Sequence, residues 1–204
     1  VKSVFIAVVL AIVMVGASQN SRADVLTFVA SLSGPAESPP NASPGTGFTT
    51  VTLNTIANTM RVQVSFSGLV AGTTASHIHA ATPTPFAGTA GVATTTPTFA
   101  GFPLGVTSGT YDNTLDMTLA SSYNPAFVTA NGGTTASAQA ALFSAIMQGT
   151  AYLNIHSTTF GGGEIRGFLV AAPEPATMLL LGTGLTGVAL KLHRKRRANK
   201  NEGA

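Results

Sequence analysis

Strict alternation of apolar and polar side chains over short stretches governs what this chain can become. Met60, Val62, Val64 and Phe66 alternate with Arg61, Gln63 and Ser65. A period of two puts one set on the buried face of a strand and the other toward solvent. Residues 48–53 read as its hairpin partner, with Val51 and Leu53 inward and 54–58 as the turn. Leu115, Met117 and Leu119 repeat the alternation around Asp116 and Thr118. Residues 151–156 and 164–170 follow as two more strands, joined by 157–163, whose closing glycines suit a sharp reversal. Short strands punctuated by Gly, Pro, Asn and Thr predict an all-β domain, an antiparallel Greek-key sandwich or partly closed barrel.

One segment departs from that period. In "TTASAQAALFSAIMQ", residues 134–148, Ala138, Leu142, Ile146 and Met147 fall on one helical face. Thr134 or Thr135 caps the start and Gly149 stops it, so one short helix is expected across the end of the sandwich, with Met147 and Phe143 as core contacts. Residues 82–104, rich in Pro, Thr and Gly, read as an irregular connection.

The 204 residues suit one domain, and charge is distributed unevenly along them. Between 24 and 172 the cations are Arg61 and Arg166, against Asp24, Glu37, Asp112, Asp116 and Glu164. The overall basic balance therefore belongs to the two ends. Nucleic-acid binding needs a basic face on the folded part, so that class is excluded. The absence of cysteine removes any disulfide framework. Residues 24–172 also lack a Gly-x-Ser-x-Gly elbow and a P-loop. Asp112 and Asp116 read as turn and surface acids rather than a catalytic pair.

The ends explain themselves. Lys2 precedes an apolar run, 4–15, and Ser21-Arg22-Ala23 offers small side chains at both positions a signal peptidase reads. Residues 1–23 are taken as a signal peptide, with an uncleaved membrane helix as the alternative. Residues 24–172 are the domain. Then come Pro173-Glu174-Pro175, an uncharged stretch over 176–190, and Lys191, Arg194, Lys195, Arg196 and Arg197. Fifteen residues rise about 22 Å as a helix, a short transmembrane span whose flanking Lys191 must snorkel. The basic cluster then anchors it on the cytoplasmic side, leaving 198–204 as a cytoplasmic tail. A buried core helix with a solvated basic tail is the alternative, against which Gly182, Gly184 and Gly187 argue.

This tripartite end, 173–197, resembles the PEP-CTERM sorting signal, with Pro173, Glu174 and Pro175 as the signature and Arg194, Lys195, Arg196 and Arg197 in the basic cluster. The resemblance implies a Gram-negative exporter and a membrane-embedded exosortase as partner. It also implies transient anchoring in the inner membrane, cleavage near the Pro-Glu-Pro, and release toward the cell surface or a polysaccharide matrix.

Three places carry candidate chemistry. In "SHIHA", His77 and His79 project from one face of a strand and Ile78 from the other. In "YLNIHS", Tyr152, Asn154 and His156 share a face opposite Leu153 and Ile155. In "GGGEIRGFL", Glu164 and Arg166 share a face, as a structural ion pair or a catalytic one. If these strands are neighbours, three imidazoles gather with a carboxylate and a guanidinium. His-x-His plus a third His suits copper or zinc. Hydrogen-bonded structural histidines are the plain alternative.

In order and spacing these stretches resemble the chordin-type (CHRD) domain. The opening "FVASLSGPAESPP", then Gly68-Leu69 before His77-Ile78-His79, then 152–156 and 163–167 carry the likeness. The "HSTTFGGGEIRG" loop lacks the Pro often seen before the last glycine turn. The resemblance implies a binding or scaffold module, and no general catalytic activity follows from it; a matrix polysaccharide or a surface protein is the expected partner. "VQVSFSGLVAGTTASHIHA" more faintly resembles the Cu/Zn superoxide dismutase strand that ends in a copper-binding His-x-His. That likeness implies an immunoglobulin-like Greek-key sandwich and a metal site at His77 and His79, with His156 as third ligand. A cysteine pair and a zinc-holding His/Asp cluster are missing, which counts against dismutase chemistry. The expected function is thus a non-catalytic module needing no cofactor, with a copper- or zinc-binding, redox-capable protein as the alternative.

Overall fold

The computed structural model describes residues 25–173. The expected signal peptide 1–23, Glu174, Pro175, the expected membrane segment 176–190, the basic cluster with Arg194, Lys195, Arg196 and Arg197, and the expected cytoplasmic tail 198–204 lie outside the described residues. Pro173 is within them and exposed.

Eight strands form one antiparallel sheet, curled into a half-barrel: β1 (Val25–Ser33), β2 (Thr46–Asn54), β3 (Thr59–Ser67), β4 (Thr73–His79), β5 (Gly109–Asp116), β6 (Tyr152–Ser157), β7 (Ile165–Phe168) and β8 (Val170–Ala171). Their spatial order is β4-β6-β7-β1-β2-β3-β5, with β8 on β1. Strands β1 to β3 form a meander, while the chain crosses to the far edge for β4 and back for β5. Those crossings put β4 beside β6, although about seventy residues separate them in sequence. The all-β antiparallel class therefore holds, in its partly closed form.

The alternation is realised residue by residue. Val51 and Leu53 of β2, and Met60, Val62, Val64 and Phe66 of β3, are buried. The hairpin pairs Leu53 with Met60 and Asn54 with Thr59, and the turn follows as expected. The pattern around Asp116 is corrected: β5 begins earlier and ends there, because the Asp116 carboxylate accepts from the Thr118 amide and hydroxyl and turns the chain. Met117 is buried but leaves the ladder, its amide donating to Asn58 O at 2.8 Å, and Leu119 is exposed. The last expected strand is two, since Leu169 turns out of the ladder and donates to Ala151 O before β8 resumes on β1. Asp112 is a surface acid, as expected, in a bidentate pair with Arg61.

The helix forms where its pattern places it, Thr135–Met147. Thr134 caps it in a reciprocal box with Ser137, and Gly149 follows with φ +69°. Ala138, Leu142, Phe143 and Ile146 join the core, but Met147 faces solvent, against expectation. A shorter helix precedes it, Pro125–Ala130, so the described residues hold two α-helices rather than one. Its cue is Asn124, whose side chain accepts from the Ala126 amide, with Pro125 at the first helical position. These are α1 (Pro125–Ala130) and α2 (Thr135–Met147). Leu142 and Ile146 share one apolar cluster with Leu53, Met60 and Leu153, so sheet and helix enclose a single core.

At the centre of the β4-β6-β7 flank, β6 is buried on both faces. Every residue of β6 is buried, polar Asn154 and His156 included. The reason is the 82–104 connection, which pairs along the edge of β4. Ala93 N donates to Ile78 O at 2.9 Å, Phe99 N to Ser76 O at 2.9 Å, and Ile78 N to Thr94 Oγ1 at 2.9 Å. A chain segment that satisfies an edge strand in this way also excludes water from the adjoining face.

Candidate metal centre

Register brings the three histidines together. β4 and β6 pair His77 with Asn154, His79 with Tyr152 and Ala75 with His156. His77 and His79 project on the side opposite Ile78, and His156 comes up diagonally beside His77. One nitrogen from each ring lies within 4.8 Å of the others. Ring centres are 4.7 Å apart for His77–His79, 4.7 Å for His77–His156 and 6.2 Å for His79–His156. His77 stands between the other two.

Each ring is oriented by a backbone carbonyl. Nδ1 of His77 meets Pro97 O at 3.1 Å, that of His79 meets Ala90 O at 2.8 Å, and that of His156 meets Gly161 O at 3.0 Å. A carbonyl only accepts, so these contacts assign the proton to Nδ1 in all three. In the neutral ring every Nε2 is then an unprotonated lone pair. The His77 and His156 Nε2 atoms approach to 2.9 Å, and the His79 Nε2 is buried without a hydrogen-bond partner. Carbonyl bonds that fix tautomer and ring plane are what outer-shell groups supply to metal-ligating histidines.

Electrostatics keep the rings neutral. Burial pushes His77 down to about 3, with His156 and His79 as like-charged neighbours adding to the effect. Burial likewise pushes His79 down to about 4 despite its carbonyl partner, and lowers His156. The metal-free fold should therefore lose stability in acid. The unfolded chain takes up protons on these rings below about 6.5. The folded domain resists to about 3 or 4 at His77 and His79. Stability present above pH 6.5 thus drains as the pH falls. Glu37, raised from 4.5 to about 7, opposes this between those two values, so the loss steepens below 4.5. Denaturation midpoints at pH 7, 5.5 and 4 measure it; a variant with all three histidines changed to Gln that falls as steeply would refute the assignment.

Around the cluster the expected polar residues divide. The Tyr152 ring stacks on His79 at 4.7 Å and 5°, and the Arg166 guanidinium carbon lies 4.7 Å from its centroid. Asn154 sits in register between His77 on β4 and Arg166 on β7. The expected Glu164–Arg166 pair does not form. Glu164 Oε1 instead accepts from Ser43 Oγ and the Val70 amide, both at 2.7 Å, and pins two loops. The partner of Arg166 is Glu37, at 3.8 Å, with Ala36 O and Gly88 O as further acceptors. Glu37 lies on the loop after β1, and only the Glu in "SGPAESPP" marks it in sequence. The carbonyls of Ala90, Pro97 and Gly161 carry no side-chain signal and were not legible at all.

A curled antiparallel half-barrel with three imidazoles gathered on one flank defines an all-β domain with a candidate metal centre. The chain belongs to the CHRD domain family, which matches residues 28–169. Residues 171–196 match the PEP-CTERM protein-sorting motif. That motif marks an exported protein sorted by an exosortase system, as found in Gram-negative bacteria. No curated protein and no solved structure matches the chain.

Proposed function

We propose that the domain is a non-catalytic binding module, delivered to the cell surface or extracellular matrix, and that its first ligand is a d-block metal ion held by His77, His79 and His156. The observation that carries this reading is the gathering of one nitrogen from each of three imidazoles within 4.8 Å, while every Nδ1 faces a backbone carbonyl. Two Nε2 lone pairs at 2.9 Å repel unless a cation stands between them. Taking up a proton instead would create a buried imidazolium, which desolvation disfavours. Among the described residues the nearby carboxylates are engaged elsewhere, Glu37 with Arg166 and Glu164 with Ser43 and Val70.

The domain would be held at the inner membrane by the apolar segment 176–190 until the exosortase releases it, and would then meet a surface protein or matrix polysaccharide. Tyr152, Asn154 and Arg166 support the ligand rings in this reading, and Glu164 ties the loops that shape the flank.

The test is metal content. The full chain, stripped with chelator and dialysed against trace copper and zinc, should hold about one metal per chain. The triple variant His77→Ala, His79→Ala, His156→Ala should hold none, while it is still exported and sorted. Metal-free wild type after this treatment would return the histidines to a structural role. Equal metal in both proteins would place the ion elsewhere.

A further inference from the structure

Resting on the metal reading above, we infer that the three imidazoles form three corners of a tetragonal plane, with His77 between a mutually opposed His79 and His156, so that the site is built for copper and leaves the corner opposite His77 to water or a small anion. The argument is geometric. An imidazole ligating through Nε2 puts its ring centre about 3.2 Å from a metal bonded at about 2.0–2.1 Å. At that radius, centre spacings of 4.7, 4.7 and 6.2 Å correspond to angles of about 95°, 95° and 150°. Three angles that add to nearly a full turn describe a flat T. Tetrahedral ligands would instead show ring centres about 5.2 Å apart in every pair. For the His77–His156 pair the Nε2 atoms agree with the ring centres: a separation of 2.9 Å returns an angle of about 90°.

The frame resists rearrangement. His77 and His79 are two residues apart on one strand, so their separation is set by the pleat. His156 is fixed across the β4–β6 ladder by the pairing of Ala75 with His156. Each ring is further held by its carbonyl. A zinc ion, with no ligand-field preference, is held in protein sites almost always as a tetrahedron, whereas planar nitrogen sets favour Cu(II) or Ni(II), and copper heads the divalent affinity order.

The experiment loads the chelator-stripped full chain with one equivalent of Cu(II) and records its electron paramagnetic resonance. The expected result is an axial spectrum, g parallel above g perpendicular, with coupling to three nitrogens. A second sample loaded with Co(II) should show only weak visible bands. Intense tetrahedral Co(II) absorption, or a rhombic copper signal with fewer than three nitrogens, would overturn the planar assignment and leave the metal reading standing. No uptake of any metal would overturn both.

Discussion

Replacing Arg166 with Met is expected to cost the fold about 3–5 kcal/mol at pH 8 and distinctly less at pH 5. Arg166 and Glu37 are 5% and 6% exposed, so their charges are held away from water and depend on each other. Burial drives the Glu37 carboxyl up to about 7, and the facing guanidinium is what pulls it back. Without that cation the folded-state value climbs further. A carboxyl raised in the folded state adds stability below its unfolded value of 4.5 and loses it as the pH rises through the folded one. At pH 5 the carboxyl is largely protonated in either protein, and the variant loses the bonds to Ala36 O and Gly88 O and the contact with Tyr152. At pH 8 the wild type keeps a paired carboxylate, whereas the variant must bury a bare one or take up a proton against the gradient. Urea denaturation of both chains at the two pH values measures the difference. Equal losses at pH 5 and pH 8 would show that Arg166 acts through packing alone.

That partnership also marks the limit of what the sequence reveals. Period-two alternation fixed the strands of the hairpin and their inward faces, because each inward residue there meets a core that its own neighbours help to form. Around Asp116 the same alternation overran, since a carboxylate that bonds its own backbone two residues on breaks a strand without disturbing the apolar pattern. His77, His79 and His156 were legible as a set because short motifs on two strands each expose one face. Their adjacency was conditional on β4 lying beside β6, a crossing that no local pattern encodes. The pairing of Glu164 with Arg166 failed for a related reason. Two residues on one face of one strand stand about 7 Å apart, while a loop arriving from after β1 brings Glu37 within 3.8 Å of Arg166. The carbonyls that set the imidazole tautomers lay furthest from reach: any residue type supplies a carbonyl, and only the folded path of 82–104 aims those of Ala90 and Pro97.

The same flank depends on a backbone approach that one methyl group would block. Gly167→Ala is expected to destabilise the domain by about 3 kcal/mol or more. A Cβ at Gly167 would fall 2.2 Å from Ser31 O, a backbone atom rather than a yielding side chain, and 3.1 Å from the Leu32 side chain. Ser31 cannot retreat, because β1 is locked to β2 along nine consecutive pairs, Val25 with Asn54 through Ser33 with Thr46. The shift must therefore fall on β7, which meets β1 at the single pair Ser33–Arg166. Moving β7 drags Arg166 off Ala36 O and Glu37, and strains the Leu153–Gly167 and Asn154–Arg166 pairs that tie β7 to the strand bearing His156. Gly162→Ala supplies the contrast, since an added Cβ there meets nothing within 4 Å, and its cost should stay within about 0.5 kcal/mol. Denaturant midpoints of the two variants decide the matter. If both cost the same small amount, β1 and β7 are not held as close as the register requires, and the row linking His77, Asn154 and Arg166 would lose its anchor on the meander.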